Sequence, residues 1–146
     1  MKMNLLTQPL IQTDRGILSL PGLLAAMARG DVASFSALRP HQRPAWHMFL
    51  VQLATLALSG ADVIGLPEDE ESWRAALRGL TAGFPDDAPW HLVVEDRNKP
   101  AFLQPPDPGG LNWHEVATPD ALDMLITSRN HDLKREIAHD AAPQDW

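Results

Sequence analysis

The sequence predicts an α+β fold, mainly α, in which a short N-terminal antiparallel hairpin packs with several helices around a central apolar helix. Three observations carry this. The stretch 44–59, PAWHMFLVQLATLALS, is long and almost continuously apolar. The first twenty residues alternate short β-compatible runs with a turn signal, and two further stretches carry helix-start signals followed by apolar residues at helical spacing.

Taken in order, 4–6 and 9–12 are β-compatible, and Asp14-Arg15-Gly16 is a turn signal before 17–20, which gives the hairpin. Ser19 or Leu20 leads into a helix with Pro21 and Gly22 in its first turn. Leu23, Leu24 and Met27 form its apolar face, and Gly30 stops it. The stretch 32–38 is apolar but undecided. In the central helix His47, Gln52 and Thr55 share one arc of roughly 140° at about 100° per residue, so the rest of the circumference is expected to be buried. Trp46, Phe49, Leu50, Leu53 and Leu56 are then core residues, worth roughly 1.5–3 kcal/mol each. Pro44 suits the first turn, and Gly60 is expected to end the helix in a left-handed conformation.

A loop follows to Pro67, where Glu68, Asp69, Glu70 and Glu71 open the next helix and complement its dipole. Four consecutive acids point in different directions on a helix, which disfavours a metal site. Trp73, Ala76, Leu77 and Leu80 have the spacing of a packed face, expected to lie on the central helix, and Gly83 and Pro85 end it. Residues 90–94 fit a helical turn or a strand. The proline-rich stretch 97–110 is a loop, anchored by Phe102 and Leu103. Thr118-Pro119-Asp120 starts a helix through Leu122, Leu125 and Ile126. It runs into the basic stretch 127–135. Residues 140–146 read as one more helix opening, so the chain is expected to be a single, partial N-terminal domain, 1–146, of a longer protein.

Composition narrows the functions. Twelve Lys and Arg stand against 19 Asp and Glu, a net charge of −7, which argues against electrostatic coating of nucleic acid but leaves room for a small basic site. The absence of cysteine removes disulfides, thiolate metal sites and cysteine nucleophiles. Residues 1–12 lack the apolar core of a signal peptide and no segment has the ~20 apolar residues of a membrane span, so a cytoplasmic location is expected. Phosphate loops, dinucleotide fingerprints, zinc-protease pairs and nucleophile elbows are absent. His47 reads as a structural histidine on the polar arc, and His41, His91, His114 and His139 lack ligand-like spacing. His131-Asp132 resembles the pair of a metal-dependent phosphohydrolase, but it lies among basic side chains that would repel a dication.

The candidate site is therefore the loop of Ser128, Arg129, Asn130, His131, Lys134 and Arg135. It can be a solvated helix end in which cations face the negative end of the preceding helix dipole. The functional alternative is a phosphate-contacting loop, with Ser128 and Asn130 donating hydrogen bonds and the cations neutralising backbone charge. No catalytic residue, metal ligand or cofactor is expected.

The segments NLLTQPLIQTDRGILSLPGLLA, the long apolar helix, KPAFLQ and TPDALDMLITSRNHDLKR occur in the order found in the N-terminal region of the CasA-type large subunit of the type I-E CRISPR surveillance complex, Cascade, which this chain resembles over nearly its whole length. One departure is Leu10, where the family often has tryptophan. The resemblance implies a non-catalytic, cytoplasmic subunit that helps recognise and open target double-stranded DNA beside its flanking motif for antiviral defence. Its implied partners are the other Cascade subunits, the guide RNA 5′ end, the target DNA and the recruited helicase-nuclease, with no membrane. It maps the loop that approaches guide and flanking DNA onto 128–135. The competing readings are a protein-interaction domain without nucleic-acid contact and an HD-type metal-dependent phosphohydrolase.

Overall fold

The computed structural model describes residues 3–61 and 64–115. The regular elements among the described residues all lie in one compact unit, Met1–Pro106. They form a small α+β fold, mostly helical: strands β1 (Ile11–Thr13) and β2 (Gly16–Leu18), helices α1 (Leu20–Ala28), α2 (Arg43–Ser59) and α3 (Glu70–Leu80), and a 3-10 turn at Ala88–Trp90. The expected helix over 118–126, the basic stretch 127–135 and the helix opening at 140–146 lie outside the described residues.

The hairpin forms as its turn signal predicts, with Ile11 opposite Leu18 and Thr13 opposite Gly16. Gly16 supplies a φ of 111°, and the buried Thr13 hydroxyl donates to the Gly16 carbonyl at 2.8 Å while accepting the Arg15 N–H at 3.0 Å. The turn's polar groups are thus closed locally. The run 4–6 is a turn rather than a strand. Asn4 makes an isolated bridge to His91, and Leu5 and Leu6 are buried.

Helix α1 is capped at both ends. The Ser19 hydroxyl accepts the Gly22 N–H, and Pro21 sits where an N–H would be orphaned anyway. At the other end Gly30, at φ 76°, donates to the Met27 carbonyl and Asp31 to the Ala26 carbonyl, the two bonds of a Schellman motif. Six of its nine residues are buried, around most of its circumference. It is α1, not α2, that occupies the centre, and α3 packs more extensively on α1 than on α2.

Helix α2 therefore lies to one side, which corrects the expectation of a helix buried outside its polar arc. Only Leu50 and Ala57 are buried; Trp46, Phe49, Leu53, Ala54 and Leu58 are half-buried against the core. Met48, Val51 and Leu56 stand outward, Leu56 at 58% exposure. The arc of His47, Gln52 and Thr55 does face outward, but it also contains Met48 and Val51, and one contact stripe cannot cover the rest. Gly60 is right-handed, φ −94°, so the helix ends without the expected left-handed residue.

Helix α3 starts at Glu70, three residues after Pro67, because the Asp69 carboxylate caps it by accepting the Ser72 N–H at 2.8 Å. Trp73, Ala76 and Leu77 are buried, Leu80 is 41% exposed, and the Trp73 indole donates to the Pro67 carbonyl at 2.7 Å. Residues 90–94 combine both readings, ending the 3-10 turn at Trp90 and then pairing with the N-terminus: Leu5 donates to Trp90 and Leu92 to Met3. The stretch 32–38 is irregular, with Val32 and Phe35 resting on the core. Among the described residues no helix is long and apolar enough to cross a membrane.

Candidate functional site

Among the described residues a row of aromatic rings runs alongside an open apolar groove. Phe35 meets Trp46 edge-on at 6.1 Å, Trp46 stacks on Phe49 at 5.5 Å, Phe49 meets Phe102 edge-on at 6.0 Å, and Phe102 stacks on Trp90 at 5.9 Å. Such pairs add about 0.5–1.5 kcal/mol each beyond their buried area. The row ties the proline-rich stretch to α2. Phe102 is placed by a tight turn in which Ala101 and Gln104 exchange both backbone hydrogen bonds, while the Phe102 N–H donates to His91.

Beside the row lies a groove of about 360 Å³, lined by Phe49, Leu53, Leu80, Trp90, Phe102 and Leu103 among others. Its few polar lining groups are engaged: Trp90 donates its indole N–H to the Thr81 hydroxyl at 2.7 Å, and Gln104 donates to the Leu92 carbonyl at 3.0 Å. Among the described residues no titratable side chain lines it. It can hold apolar surface but offers no acid, base or nucleophile. Leu103, expected to anchor the loop, instead projects outward at 75% exposure with a left-handed φ of 56°. In the tight turn Phe102 takes the inward place, leaving Leu103 outside.

Elsewhere in the fold a charged clamp ties α3 and the 3-10 turn to the N-terminal segment. Arg78 donates from Nε and Nη2 to both oxygens of Asp87, at 3.1 and 2.9 Å, and Asn4 adds its amide at 3.3 Å. The Arg78 hydrogen bonds hold the Asp87 carboxyl below its usual range against the opposing effect of burial, with Asn4 and the nearby His91 contributing less. Asp87 is itself left-handed, φ 56°, a conformation aspartate tolerates better than most residues. Next to it Lys99 lies 3.2 Å from Asp86 and lowers that carboxyl too. Nothing in the sequence pairs Asp87 with residues 9 and 83 positions away. The Asp86-Asp87-Ala88-Pro89 turn composition was the available signal.

The acidic run 68–71 is occupied structurally. The Glu68 carbonyl accepts from Arg29, Asp69 caps α3, Glu70 accepts from the Ser19 hydroxyl at 2.7 Å and from Arg74, and Glu71 pairs with Arg74. The Ser72 N–H bond lowers the Asp69 carboxyl, as a capping role requires. Among the described residues no group of three His, Cys, Asp or Glu could hold a metal ion. His41, His47 and His114 are exposed and His91 is buried. They are not brought together into a site.

Ser128, Arg129, Asn130, His131, Lys134 and Arg135, the candidate residues from sequence, lie outside the described residues. One charge feature escaped the sequence reading: 32–61 contains no acid at all, yet carries Arg39 and Arg43. Counting signed residues over thirty-residue windows would have found it. No family model, curated protein or solved structure matches the chain.

Proposed function

We propose that this chain serves in the non-catalytic large subunit of a type I-E CRISPR Cascade complex in the cytoplasm, helping it bind target double-stranded DNA beside the flanking motif. The observation that carries the reading is the shared order of four segments, 4–25, 44–59, 99–104 and 118–135, in one acidic chain without catalytic motifs. In this reading Arg129, Lys134 and Arg135 neutralise nucleic-acid phosphates near the guide 5′ end, Ser128 and Asn130 donate hydrogen bonds, and His131 sits between them. The other Cascade subunits, the guide RNA and the recruited helicase-nuclease are its partners, and it needs no cofactor.

The test is a salt titration of target-DNA affinity for complexes assembled with wild-type subunit or with Arg129, Lys134 and Arg135 all replaced by alanine. Each lost phosphate contact should flatten the slope of log K against log salt by about 0.9 on duplex DNA, or about 0.7 on a single strand. Preference for the flanking motif should survive, because phosphate contacts position without reading bases. An unchanged slope and affinity would return these residues to a solvated helix end.

A second reading, a protein-interaction domain without nucleic-acid contact, is favoured by the apolar groove and by the outward Leu103 at its edge. An assembled complex whose DNA affinity ignores the triple substitution, but which fails to assemble when the groove is altered, would select it.

A further inference from the structure

We draw no further inference here: the strongest candidate, the open apolar groove between α2, the end of α3 and the tight turn at 101–104, carries nothing because nothing in the structure shows what covers it.

Discussion

Asp87 shows how one side chain can join segments far apart in the chain. Its carboxylate takes two hydrogen bonds from Arg78 and one from Asn4, and its own side chain is only 14% exposed. Because its folded carboxyl titrates below the usual ~3.9, its contribution is fully present above that value and is lost as the pH falls through the folded one. Asp87→Asn keeps a residue that tolerates the left-handed backbone and removes only the charge. It should cost about 1 kcal/mol at neutral pH, discounted because Arg78 is half exposed, and the difference from wild type should close in acid. Urea titrations at pH 7 and in acid check both; a gap that persists in acid would mean the charge is not the cause. Leu103 is the opposite case, an exposed leucine held left-handed. Leu103→Asn should raise stability by about 0.5–1 kcal/mol, read as a higher urea midpoint. Neither residue's role was legible beforehand, since a φ angle and a partner 83 positions away leave no mark in local composition.

At the scale of elements, local chemistry and periodicity did most of the work. Ser19 and Gly30 bound α1, Asp14 to Gly16 make the hairpin turn, and Trp73, Ala76 and Leu77 fall on the buried side of α3. Helix α2 is where the pattern misleads. Its apolar residues encircle the helix, so sequence alone gives the outward arc but not how wide the buried stripe is. The structure makes a sharp prediction about two leucines on this one helix. Leu50→Ala should cost about 2–5 kcal/mol as a core cavity, while Leu56→Ala should stay within about 0.5 kcal/mol. Denaturant midpoints of the two variants decide it, and equal losses would mean that Leu56 is covered after all.

At the scale of the molecule, every described residue of the buried core cluster lies before Pro106. A chain ending at Pro106 should therefore unfold cooperatively and keep the near-ultraviolet signal of the buried Trp73 and Trp90. A broad, non-cooperative melt would show that the following residues complete the core. By itself the sequence determined the class of fold, the hairpin, both ends of α1 and the inward face of α3, because turns, caps and helical periodicity are fixed by residues within one or two turns of each other. It also carried the proposed function, through the order of its segments. Only the tertiary structure decided that α1 rather than α2 sits at the centre, that Phe102 turns inward while Leu103 turns out, and that Asp87 gathers hydrogen bonds from Arg78 and Asn4. Those outcomes depend on which surfaces meet, and burial is settled by the packing of distant segments against one another, not by the hydropathy of any one of them.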